Sequence, residues 1–97
     1  MTFSFHPDAR FELLEAIAYY ESSSTGLGLK FSREVFASIN RITQMPLAWS
    51  SISENTRRCL TKRFPYGLMY EILDDEILII AVTQLNREPG YWQDRVK

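Results

Sequence analysis

The residues most often used for chemistry are scarce here. There is one cysteine and one histidine in 97 residues. Cys59 alone makes no internal disulfide, and small secreted domains usually depend on several. It falls in a predicted strand, where a small buried thiol is the ordinary expectation. His6, just behind the first predicted strand, leaves the later strands without a base for a serine, threonine or cysteine nucleophile. No metal is expected: Asp74, Asp75 and Glu76 are contiguous acids on a turn, without the Asp/Asn/Gly spacing of a calcium loop. No nucleotide-binding glycine motif occurs and no cofactor is expected. Gly26-Leu27-Gly28 could hold an anion through free amides, or could simply begin a helix. With no signal-peptide pattern and no apolar run near the ~18 residues of a membrane span, a cytoplasmic chain without a membrane partner is expected.

What is present fits one globular domain over residues 1–97. Apolar residues make up 45% and charged residues 24%, outside the disordered range. The net charge of −1 speaks against indiscriminate coating of nucleic acid, which calls for a basic domain. The charge is nevertheless uneven: residues 55–70 carry Arg57, Arg58, Lys62 and Arg63 and no acidic side chain.

Patterning predicts a strand over Thr2–His6, then a helix from Asp8 to about Tyr20. Phe11, Leu14, Ile17 and Ala18 form its inner stripe, with Glu12 and Glu15 outside. Ser22–Gly26 breaks the pattern. A second helix runs from Leu27 to about Met45, with Leu27, Phe31, Val35, Ile39 and Ile42 on one stripe and Pro46 as its stop. Leu47–Asn55 has no period; Trp49 and Ile52 tuck it onto the core. Strands are predicted over Arg57–Arg63, Tyr66–Leu73 and Ile77–Val82, with Asp74–Asp75 as a hairpin turn. The run ILIIAV is apolar on both faces, the mark of a covered strand. The expected fold is α+β, in the order β-α-α-β-β-β, with a two-helix hairpin packed on a small antiparallel sheet.

The remaining candidates for function are cationic and aromatic: Arg57, Arg58, Lys62, Arg63, Arg87, Tyr91 and Trp92. Guanidinium groups make paired hydrogen bonds to phosphate or carboxylate, and the rings offer stacking area. The same residues also read as a solvated sheet face with Trp92 at the core edge, and spacing leaves both open. No catalytic residue is assigned.

Several segments together resemble the RelE/ParE superfamily of type II toxin–antitoxin toxins. They are Tyr19-Tyr20-Glu21, Gly26-Leu27-Gly28 with Phe31, Pro46, Arg57 with the run Arg63-Phe64-Pro65-Tyr66-Gly67-Leu68-Met69-Tyr70-Glu71, Ile77–Val82, and Arg87-Glu88-Pro89-Gly90-Tyr91-Trp92 with Arg95. The resemblance implies a β-α-α-sheet toxin neutralised by a cognate antitoxin. RelE-like members cut messenger RNA in the ribosome with Lys/Arg groups and a C-terminal tyrosine; ParE-like members poison DNA gyrase. Gly67 stands where the RelE-like pattern has a catalytic arginine, and Tyr91 follows Arg87 at a shorter spacing. The Phe64-Pro65-Tyr66 and Pro89-Gly90-Tyr91-Trp92 runs and the missing arginine place the chain nearer the ParE-like branch and imply a gyrase inhibitor that acts by binding rather than an enzyme. A RelE-like endoribonuclease and an inactive antitoxin-binding remnant are the alternatives. Gln84 lies near where a histidine is frequent in that branch.

Overall fold

The computed structural model describes all residues, Met1–Lys97. Strand β1 (Thr2–Phe5) leads into helix α1 (Pro7–Ser23), then α2 (Leu27–Gln44), and four strands follow: β2 (Ser50–Ser53), β3 (Thr56–Leu60), β4 (Tyr66–Leu73) and β5 (Glu76–Gln84). A single turn of 3-10 helix, Gln93–Arg95, closes the chain. The expected α+β class and two-helix hairpin are what the chain forms. The sheet has one more strand than expected and is mixed. Its order is β1-β5-β4-β3-β2, with β1 parallel to β5 and the other pairs antiparallel. The extra strand, β2, lies inside the segment expected as a loop. Its sequence Ser-Ser-Ile-Ser is wholly exposed, so it shows no inside–outside alternation. It is held by pairing with β3, including a register shift between Ser51 and Ser53.

The start of each helix has a visible cause. Pro7 takes the first position of α1 and His6 Nδ1 accepts a hydrogen bond from Asp8 N–H at 3.1 Å, as a capping side chain does. Between the helices, Gly26 adopts φ +87°, open to glycine at no steric cost. The Glu21 carboxylate then accepts from the N–H groups of Gly26 and Gly28 at 3.0 Å. The amides at the start of α2 are therefore taken by the chain's own carboxylate. A Cβ on Gly28 would come 2.8 Å from the Ile17 carbonyl, so that glycine sets how closely the two helices approach.

The sheet is covered on both faces. On the helix side, Ala9, Leu13, Ala16, Phe31, Val35, Ile39 and Ile42 meet Cys59, Tyr66, Leu68, Tyr70, Ile77, Ile79 and Val82. Tyr20, Phe31, Phe64 and Tyr66 form an aromatic group with ring centroids 4.8–6.0 Å apart. On the other side, Met69, Leu78, Ile80, Ala81 and Trp92 form a second cluster under the C-terminal tail. A register shift in the β4–β5 ladder at Met69/Tyr70 is the signature of a bulge. It explains why Ile77, Ile79 and Val82 face the helices while Ile80 and Ala81 both face the tail. The run ILIIAV is covered on both faces, as its composition suggested.

Helix α1 differs from expectation in which stripe it buries. Phe11 and Leu14 are exposed, at 60% and 53%, whereas Ala9, Leu13 and Ala16 are buried. Two apolar stripes run along this helix, and periodicity cannot choose between them. The small side chains of Ala9 and Ala16 permit close packing on the sheet, and Glu12 finds partners there. No helix is long and apolar enough to cross a membrane.

Candidate target-binding face

The seven cationic and aromatic candidates do not form one patch. Arg58, Arg87, Tyr91 and Trp92 come together around a pocket of about 290 Å³ on the tail side of the sheet, floored by Met69 and rimmed by Ile52 and Leu85. Arg58 projects from the middle of β3, opposite Met69 in the ladder. Its stem passes over Gly67: a Cβ there would lie 3.4 Å from Arg58 Cγ and Cδ, and 3.3 Å from Leu85 Cδ2. The lack of a side chain at Gly67 thus makes the space in which Arg58 and Leu85 lie. Arg87 follows the last strand. Its guanidinium carbon sits 3.8 Å from the centroid of the Tyr91 ring, a cation–π contact, and the side chain stays 54% exposed.

Tyr91 and Trp92 are positioned differently from a freely exposed contact pair. Trp92 is 5% exposed and belongs to the second core cluster, because the tail folds back over β4 and β5. It supports the pocket by packing. Tyr91 is half-buried, and its hydroxyl donates to Glu12 Oε2 at 2.7 Å. Burial, with Glu12 adding to it, pushes the Tyr91 phenol up to about 12.

The other three candidates lie elsewhere. Arg57 is turned to the helix side and donates from Nη1 to the Trp49 carbonyl at 2.7 Å, so it fastens the α2–β2 loop. Lys62 and Arg63 are exposed and lie past the end of β3, which stops at Leu60 rather than Arg63. There Thr61 Oγ1 donates to the Phe64 carbonyl at 2.6 Å, and Tyr66 N–H bonds back to Phe64 at 2.8 Å, closing a tight loop at Phe64-Pro65. The Lys62 backbone N–H donates to Glu34 Oε2 at 2.6 Å.

Sequence reasoning missed the side chains that hold the face in place. Glu12, expected outside its helix, is 10% exposed. It accepts from Val82 N–H at 3.0 Å, from Tyr91 Oη, and from two nitrogens of Arg95 at 3.0 and 3.1 Å. The cause lies in the sheet. Strand β1 covers β5 only from Glu76 to Ile79, so beyond it the edge groups of β5 need other partners. Glu12 takes Val82 N–H, and Arg95 Nη1 donates to the Ile80 carbonyl at 2.9 Å. Burial works against the charge on Arg95, but Glu12 outweighs it and raises the guanidinium pKa above its usual value. Asp8 lies 3.7 Å away and adds to this. The signal in the sequence was weak: one carboxylate on a helix and one arginine after a turn, 83 residues apart.

The lone histidine caps α1 and lines neither this pocket nor the adjoining groove between α1 and β5. No group of three or more His, Cys, Asp or Glu side chains is placed to hold a metal ion.

Comparison with known proteins adds the family. A search of curated proteins returns no match. Among solved structures, the chain is similar to one from the chromosomal ParDE TA system of P. aeruginosa. The TM-score is 0.71 at 18% identity, over 87% of this chain and 95% of that one. At that identity the likeness bears on fold. The family model for the ParE toxin of type II toxin–antitoxin systems, parDE, matches residues 3–88. It covers most of the chain, from Phe3 in β1 through Glu88, and the chain therefore belongs to the ParE toxin family of type II toxin–antitoxin systems.

Proposed function

We propose that this toxin acts by binding DNA gyrase through the tail-side face centred on Arg58 and Arg87, and that a cognate antitoxin neutralises it. The observation that carries the reading is the pocket itself. Two guanidinium groups flank an apolar floor of Met69 and Trp92, and such centres of Arg and aromatic side chains dominate protein–protein contacts. Gly67 supports binding over RNA cleavage: the RelE-like site expects an arginine there, and here Arg58 and Leu85 occupy the space.

Purified toxin is expected to inhibit supercoiling by gyrase and to leave ribosome-bound message intact. Arg58→Ala and Arg87→Ala should each cost about 1–3 kcal/mol of target binding, whereas Arg63→Ala, outside the pocket, should leave inhibition unchanged. Ribosome-dependent cleavage of message would move the assignment to an endoribonuclease. Loss of both activities with antitoxin binding retained would indicate an inactive remnant.

A further inference from the structure

The tail-side pocket restricts what can fill it. Its volume of about 290 Å³ lies at the bottom of the ~300–1,000 Å³ range that holds whole small ligands, so it suits one or two side chains. Met69, Trp92, Ile52, Leu85 and Pro89 supply its apolar lining. Neither of its arginines is saturated. Arg58 is exposed, and no carboxylate lies within ion-pair distance of it. Arg87 has only Glu12, 3.9 Å away, and Arg95 already holds that carboxylate at 3.0 Å. An apolar floor between two such guanidinium groups calls for an apolar group with a carboxylate or a phosphate next to it.

The rings separate these two. Single-stranded nucleic acid is held by bases stacked on open aromatic faces, and the aromatic faces here are in use. Trp92 is 5% exposed and packed in the second core cluster. Tyr91 carries Arg87 at 3.8 Å and Arg95 at 5.0 Å from its ring centroid. The rim also holds one acid, Glu88. It repels a run of phosphates and tolerates a single carboxylate aimed at the arginines. The net charge of −1 weighs against a polyanion as well.

We propose that the pocket seats an apolar–acidic pair of side chains from a loop of the protein target. A leucine-sized side chain rests on Met69 and Trp92, and a carboxylate beside it in sequence is bound by Arg58 and Arg87. This rests on the tail-side face being the target-binding face, and it adds what the target has to present there. Charge-assisted Arg–carboxylate bonds are among the stronger polar contacts, and a desolvated apolar anchor beside them makes a binding centre. The chain's own acidic tip, Leu73-Asp74-Asp75, has the right pattern but is a poor occupant. Leu73 already packs against the second core cluster, so its side chain is not free to enter a second copy.

The test uses the purified chain and three capped tetrapeptides, Gly-Asp-Leu-Gly, Gly-Lys-Leu-Gly and Gly-Asp-Ser-Gly, titrated while the Met69 methyl and Trp92 indole signals are followed. The first peptide should bind at least about tenfold tighter than either control, one of which lacks the acid and the other the apolar group. Arg58→Glu should reverse the order of the two leucine peptides, whereas a merely structural loss would weaken all three alike. If Arg58→Glu fails to fold, Arg87→Gln decides: it should cut the preference for aspartate over lysine about tenfold. Equal binding of the peptides, binding of none, shifts centred away from Met69 and Trp92, tighter binding of a thymidine tetranucleotide, or self-association of the free chain would each overturn the proposal. Gyrase enters only through a separate measurement, inhibition of supercoiling. The peptide preference without that inhibition would remove gyrase as the target and keep the chemistry of the pocket; inhibition without the preference would overturn the proposal and keep gyrase.

Discussion

A carboxylate that is nine-tenths withdrawn from water needs partners for both oxygens, and Glu12 has them. It bridges α1, the open end of β5 and the C-terminal tail through Val82, Tyr91 and Arg95. Removing it would leave Arg95, itself 12% exposed, with only the exposed Asp8 carboxylate at 3.7 Å to balance its charge, and would orphan Val82 N–H. Breaking one side of a buried pair costs about 3–5 kcal/mol. Glu12→Ala is therefore expected to lower the urea midpoint by that equivalent. Asp8→Ala, whose carboxylate is 66% exposed and 3.7 Å from Arg95, should stay within about 1 kcal/mol of the parent. Equal losses for the two would refute the central place given to Glu12. Gly67 shows the converse, a residue whose influence comes from what it lacks. Because the Arg58 stem and Leu85 fill the gap above it, the basic side chain on this face comes from β3 rather than from β4.

The C-terminal tail is the element that turns a one-sided sheet into a two-sided one. Its anchor is Trp92, packed on Met69, Leu78, Ile80 and Ala81, and its end is tied down where Lys97 N–H donates to Glu71 Oε1 at 3.2 Å. Large-to-small replacement of a buried tryptophan costs about 3–5 kcal/mol. Trp92→Ala should thus lower thermal stability and raise binding of a hydrophobic dye before it affects any target contact. A variant with wild-type melting and impaired target binding would instead make Trp92 a direct contact. The second helix, the covered strand and the α+β class were legible in the sequence because stripe, run length and order agreed. The inner face of α1 was not legible, since Phe11–Leu14–Ala18 and Ala9–Leu13–Ala16 have the same period, and close packing at Ala9 and Ala16 and the position of Glu12's partners separate them. Strand β2 was hidden because Ser50–Ser53 is exposed throughout and carries no alternation. For the candidate face, Arg58, Arg87 and Tyr91 could be read as chemistry, but not as neighbours: their meeting depends on a tail whose second core no local pattern announces.

At the scale of the whole molecule, two tyrosines clasp parts of the fold that the sheet does not itself join. Tyr70, fully buried on β4, donates to the Pro46 carbonyl at 2.6 Å and holds the α2–β2 loop. Tyr91 donates to Glu12 and holds the tail on α1. Burial is the main cause that pushes both phenols up to about 12, against about 10 in an unfolded chain. The sign follows from proton counting. Between pH 10 and 12 the unfolded chain loses these protons while the folded chain keeps them, so stability is fully present below pH 10 and falls as pH rises toward 12. The melting temperature should drop across that window, and less steeply for the Tyr91→Phe and Tyr70→Phe chains. Each replacement also removes a hydrogen bond and should cost about 0.5–1.5 kcal/mol at neutral pH. The two clasps guard different regions, so the variants also predict where the fold opens first. Tyr91→Phe should raise amide exchange in the tail and around Val82, and Tyr70→Phe in the segment from Pro46 to Ser50. If the alkaline slope were the same in both variants as in the parent chain, the phenols would not be the groups whose ionisation unfolds it.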